Sequence, residues 1–247
     1  MLTSSMPELP WGLWLLGALA CFFVGIAKTG LPGFGILAIP MMVITVGDAR
    51  LSAGWLLPIL CAADVIAILY WRRMAVAGRL FSLAPWVVAG MAAGAAALAL
   101  EERYLRPLVA TIILAMLALY IRRRLRPDTF DVPVHPAPYG FSAGFSTTVA
   151  NAAGPVMNLY LLSKRLPKEE FVATGAWFFF AVNLSKVPIY WWHGLFSRKS
   201  LLFDLAMLPA LVSGAVIGRW VIHLIPQRVF EILVIVMTTA ATLLLYR

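Results

Sequence analysis

Uninterrupted apolar runs recur along this chain, each close to the length needed to cross a hydrocarbon core. Residues 51–71, 80–100, 104–121, 171–193, 200–223 and 227–246 are such runs, and a spanning helix needs about 20 predominantly apolar residues. Of the 247 residues 62% are hydrophobic and 13% charged, and the mean hydropathy is +0.89, outside the range of soluble domains. Transmembrane β-strands alternate over short segments, whereas these runs are continuous. The expected class is an all-α polytopic membrane protein.

The formal net charge of +9 does not point to nucleic acid, because the basic residues gather in short loops. Arg72, Arg73 and Arg79 form one group; Arg122, Arg123, Arg124 and Arg126 form another. Cytoplasmic loops carry such an excess. Cys21 and Cys61 lie inside apolar runs and read as small hydrophobes. The start, "MLTSSMPELPW", has neither a basic leader nor a small-residue cleavage site, so a cleaved signal peptide is not expected.

Two places break the pattern. "GIAKTGLPGFG" (25–35) divides an apolar stretch running from 11 to 46. About 36 helical residues would span roughly 54 Å, too long for one crossing, so the break reads as a hairpin of two short helices. "NAAGP" (151–155) divides 139–165 in the same way. Each half of the chain is thus a broken pair followed by three full-length runs. The reading is a first transmembrane repeat over 1–121, a basic linker over 122–138 and a second repeat over 139–247. An odd number of full crossings per half makes the second repeat inverted, if each broken pair returns to its starting side. Loop charge supports that orientation in the first half and leaves the second undecided.

Broken helices at membrane depth leave backbone groups that lipid cannot satisfy, so protein or a water-filled cavity must do so. Paired breaks in two halves mark the substrate site of secondary transporters. Pro32 and Pro155 stand where a second short helix would begin, since proline suits the first helical position. Facing helix N-termini would offer free N–H groups to an anion. Gly30, Gly33 and Gly35 would permit close approach, with Thr29 adding a hydroxyl and Lys28 a charge. The second break offers Ser146, Thr147, Thr148, Asn151 and Gly154. The alternatives are a Lys28 that snorkels to the interface and glycines that serve helix packing, the preferred reading for Gly25.

Asp64, Asn183 and Lys186 lie well inside long runs, and intramembrane ionisable residues default to function. Two arrangements are open. Asp64 and Lys186, in corresponding helices, pair with each other and leave Lys28 for the substrate; or Lys186 joins the anion site and Asp64 carries a coupling proton. His193, His223, Arg219 and Asp204 read as helix-end residues.

The stretches "GIAKTGLPGFGILAIPMM", "LLPILCAADVIAILYWRR", "STTVANAAGPVMNLYLLSKRLPKEEF" and "WFFFAVNLSKVPIYWWHGLFS" together resemble the TauE/SafE family of sulfite-exporter-like anion transporters. The likeness is clearest over residues 15–75 and 139–197. It implies a multi-pass protein of a bacterial inner membrane with two related halves, moving sulfite, thiosulfate or organosulfonates with coupling to an ion gradient. The family's first break then corresponds to Lys28–Gly35, its second to Ser146–Pro155, its aspartate to Asp64 and its Asn-x-x-Lys to Asn183 and Lys186. Many relatives carry adjacent glycines at the first break, where this chain has Pro32 and Phe34.

The function expected is secondary transport of a small oxyanion by alternating access. The expected partners are that anion, a coupling proton or sodium ion and the lipid bilayer, with no nucleic acid, cofactor or metal. A passive anion channel, or the permease subunit of a larger complex, is the alternative. An enzyme is not expected: no P-loop is present, and the cysteines and histidines have no ligand spacing.

Overall fold

The computed structural model describes residues 6–75, 77–97, 102–125, 135–150 and 152–244. Among the described residues there is no strand. The helices are α1 (Trp11–Thr29), α2 (Ala38–Val46), α3 (Ala49–Trp71), α4 (Ala77–Ala97), α5 (Glu102–Leu125), α6 (Pro136–Ala150), α7 (Ala153–Ser163), α8 (Lys168–Trp192), α9 (Arg198–Leu224) and α10 (Gln227–Leu244), with a 3-10 turn at Phe34–Leu37. Among the described residues six helices are long and apolar enough to cross a membrane: Trp11–Thr29, Leu51–Trp71, Leu80–Ala97, Lys168–Trp192, Arg198–Leu224 and Gln227–Leu244. Large apolar side chains such as Leu15, Leu69 and Phe81 are exposed, as a lipid-facing surface requires. The protein is an all-α polytopic membrane protein.

Local chemistry sets the ends. Asp48 caps α3, its Oδ1 accepting from the Leu51 amide at 2.7 Å. Ser197 and Ser200 form a reciprocal capping box at the start of α9, satisfying donors that the first turn leaves open. Gly47, at φ 80°, closes α2 in the left-handed region, where glycine alone is unstrained.

The chain divides into two compact units. Unit 1 comprises 1–75 and 168–230, and unit 2 comprises 76–167 and 231–247. In unit 1, α1 and α9 pass closely. A Cβ on Gly17 would meet Phe203, one on Gly25 the backbone from Leu211 to Ala215, and one on Gly30 the backbone of Gly218. The two helices therefore run parallel. Helix α8 runs antiparallel to α3: Asn183 meets Asp64, and Gly54, earlier in α3, lies against Leu195 beyond the end of α8. The core around these crossings includes Ala20, Cys21, Val24, Ile59, Ala63, Phe203 and Leu211.

In unit 2, α4 and α6 also run parallel and close. Gly90 lies against Phe141 and Phe145, Gly94 against Thr148, and Gly144 against Val87 and Met91. Asn158 on α7 donates to Thr238 on α10 at 3.3 Å. Arg124 pairs with Glu231 at 2.7 Å.

Three local expectations are corrected. The first break is not a pair of half-helices, because α1 is a full 19-residue helix and only the returning limb, Phe34–Val46, is short. Pro32 does not open that limb. It lies in the turn before Gly33, whose φ of 108° needs a glycine, and the helical path resumes at Phe34; Pro155 does fall in the first turn of α7. Arg122, Arg123 and Arg124 belong to the last turn of α5 rather than to a linker; residues 126–134 lie outside the described part.

Candidate functional site

Unit 1 holds a buried ionic cluster. Helix α1 ends at Thr29, and side chains on a helix lean toward its N-terminus. The stem of Lys28 thus leads back from the helix end to the level of Asp64, seven residues before Trp71. Its ammonium lies 2.6 Å from Asp64 Oδ1, with side-chain exposures of 13% and 0%. The second carboxylate oxygen, Oδ2, accepts from Asn183 Nδ2 at 2.8 Å. Lys28 also stands 4.3 Å from the centre of the Phe179 ring, a cation–π contact.

Phe179, Asn183 and Lys186 occupy positions i, i+4 and i+7 of α8, one face of the helix. Asn183 and Lys186 are both buried. Lys186 is within electrostatic reach of Lys28, Asp64 and Cys61. Two lysines and one aspartate therefore lie within electrostatic reach of one another. Ionisable side chains at this depth are costly and default to a function.

The family comparison bears directly on these residues. The family model described as sulfite exporter TauE/SafE matches residues 16–245, a span that includes every member of the cluster. The chain belongs to the TauE/SafE family. TauE/SafE is a family of membrane anion exporters and not of enzymes. No curated protein and no solved structure matches the chain.

Around the cluster, the first break of this TauE/SafE chain is tied into packing. Thr29 is fully buried, its hydroxyl 2.7 Å from the Ala215 carbonyl of α9 and 3.0 Å from that of Gly25. Its carbonyl accepts from Trp71 Nε1 at 3.1 Å. Gly30 lies against the Gly218 backbone. Gly35 has room, with a Cβ there meeting only Ala27 at 3.4 Å. Phe34 packs 6.3 Å from the Phe23 ring.

The second break, within unit 2, has a different character. Ser146 is buried and donates to the Ser142 carbonyl, while its own carbonyl accepts the Ala152 amide at 3.1 Å. Thr147 is buried. Gly154 sits in the first turn of α7, and a Cβ there would have nothing within 4 Å, so its backbone is open. Asn151 lies outside the described residues.

Of the open arrangements for Asp64, the structure has neither in full: Asp64 is in an ion pair, but with Lys28. Sequence spacing matches Asp64 to Lys186 through their places in the two halves, whereas α1 lies beside α3. Arg219 stacks on Tyr70 at 4.7 Å, and His223 stands 3.9 Å from Glu169 near the end of α9, as helix-end residues do. Asp204 departs from that expectation. It is buried, and among the described residues neither carboxylate oxygen has a hydrogen-bond partner.

Proposed function

We propose that this protein is a secondary transporter of the bacterial inner membrane, moving a small sulfur-containing oxyanion (sulfite, thiosulfate or an organosulfonate) by alternating access coupled to an ion gradient. The observation that carries the reading is the buried Lys28–Asp64–Asn183 cluster, with Lys186 within electrostatic reach, in a chain of this family. One ammonium and one amide donor hold a fully buried carboxylate, and a second ammonium lies within electrostatic reach; ionisable groups so placed mark a substrate or ion path. An oxyanion takes hydrogen bonds from ammonium and amide donors, and Lys28 exchanges its Asp64 partner for the anion as the site loads.

We also read the two halves as inverted repeats. Helices α3 and α8, which correspond in that scheme, run antiparallel, which favours the inverted relation. The close α1–α9 crossing of unit 1 has its counterpart in the close α4–α6 crossing of unit 2, both parallel and both built on glycines. Small residues let helix backbones approach inside a bilayer and let them slide.

Reconstituted vesicles test the transport reading. With an ion gradient imposed, the protein is expected to accumulate radiolabelled sulfite or thiosulfate above its external concentration. Entry that stops at equal concentrations identifies a passive channel and overturns the proposal.

A further inference from the structure

Asp204 is a buried carboxyl group to which anion binding gives no task. It is the seventh residue of α9, past the Ser197–Ser200 capping box, and only 5% exposed. Both of its oxygens are buried, with no hydrogen-bond donor among the described residues. Phe203 beside it is fully buried beneath Trp14 and Trp55, whose rings lie 5.3 and 5.1 Å away. One turn on lies Met207, in the same apolar core.

Among the described residues the titratable groups around it are few. From α1, Cys21 faces Asp204 within electrostatic reach. On α9 itself Arg198 and Lys199 are exposed in the first turn. Helix α2 carries no titratable residue between Ala38 and Val46. On α3, Asp64 is held by Lys28 and Asn183, and Cys61 lies toward that cluster. Ser200, one turn earlier on α9, spends its hydroxyl on the capping box.

A carboxylate without a donor or a cation is costly in such surroundings, while the neutral acid is accommodated. Hard metal cations need several oxygen ligands, and two oxygens of one carboxyl among apolar side chains do not supply them. We propose that Asp204 is the proton-binding site of the transport cycle. One oxygen of the carboxylate takes a proton from water on one side of the membrane, forming –COOH, and returns it to water on the other; no other bond changes. The site lies beside Cys21, seven residues of α1 before Lys28, or roughly 10 Å along a helix. The parallel α1–α9 crossing places both sites on one moving contact, so a shift that opens one alters the other.

The inference rests on the transport reading, and its test separates the two. Sulfite binding by thermal shift, sulfite–sulfite exchange without a gradient, and accumulation driven by an imposed pH gradient are measured on wild type and Asp204→Asn in vesicles. Asp204→Asn is expected to bind and exchange sulfite within about twofold of wild type and to lose pH-driven accumulation at least tenfold (1.4 kcal/mol per decade). Full pH-driven accumulation by the variant overturns the assignment. Asp204→Ala replaces it if the amide variant does not assemble. Infrared absorption of the purified protein supplies a readout independent of transport. A protonated-carboxyl band present in wild type and missing from the variant is expected even if sulfite proves not to be the substrate. Identical spectra overturn the proposal; absence of binding and exchange in wild type overturns the transport reading instead.

Discussion

Lys28 on α1 and Asp64 on α3 form a 2.6 Å ion pair whose carboxylate is fully buried, with Asn183 of α8 on the other carboxylate oxygen. Three helices are tied at one point, and the tie is made of charge. Removing one partner leaves the other charged and buried, which costs about 3–5 kcal/mol. Asp64→Asn and Lys28→Met are each expected to lower stability by that order. The double variant, with neither charge, is expected to recover most of the loss, because an amide at 64 still faces Asn183. Denaturation of the three variants in detergent checks this; losses that add contradict a coupled pair.

The glycines divide into two kinds. Gly25→Ala and Gly218→Ala each drive a Cβ into the backbone of the facing helix or into Thr29, and forced repacking costs about 1–3 kcal/mol. Gly35→Ala meets only Ala27 and is expected to stay within about 0.5 kcal/mol of wild type. Melting temperatures of the three variants separate them.

Sequence alone carries the class and most helix positions, because an apolar run of spanning length admits few alternatives. It carries less at the breaks. Gly30 reads equally as a site for ligand approach or as a packing residue, and only the neighbouring Gly218 backbone decides for packing. Lys28 reads as a substrate cation, with snorkelling as the alternative, because its place at the end of a segment is visible while the direction of its stem is not. The face shared by Phe179, Asn183 and Lys186 is a signal that helical periodicity offers. The Lys28–Asp64 pairing is not, since it depends on which helices are neighbours. Asp204 looks like an anchor from its nearness to a helix end; its burial, with Cys21 of α1 within electrostatic reach, depends on which helices pack together.

Gly154 tests the second break. A methyl group there meets nothing, and replacing a glycine in a helical conformation stabilises by about 0.4–1 kcal/mol. If the open backbone of the first turn of α7 receives the anion, Gly154→Ala loses affinity while stability holds or rises. Unchanged affinity, measured by ligand titration, contradicts that role.

The capping box gives a control far from the chemistry. Ser197→Ala removes one of the reciprocal bonds at the start of α9 and is expected to cost about 1 kcal/mol, leaving anion affinity unchanged. A loss of affinity without a loss of stability contradicts a purely structural role.

The most direct measurement is the melting temperature of the purified protein against sulfite, thiosulfate, sulfate and chloride, for wild type and Lys186→Met. A ligand at a hundred times its dissociation constant stabilises the folded state by about 2.7 kcal/mol. A rise with a sulfur oxyanion in wild type, absent in a folded Lys186→Met, is the result expected of an anion site built on the α8 face. An equal rise in both proteins, or no rise with any of the anions, would contradict it.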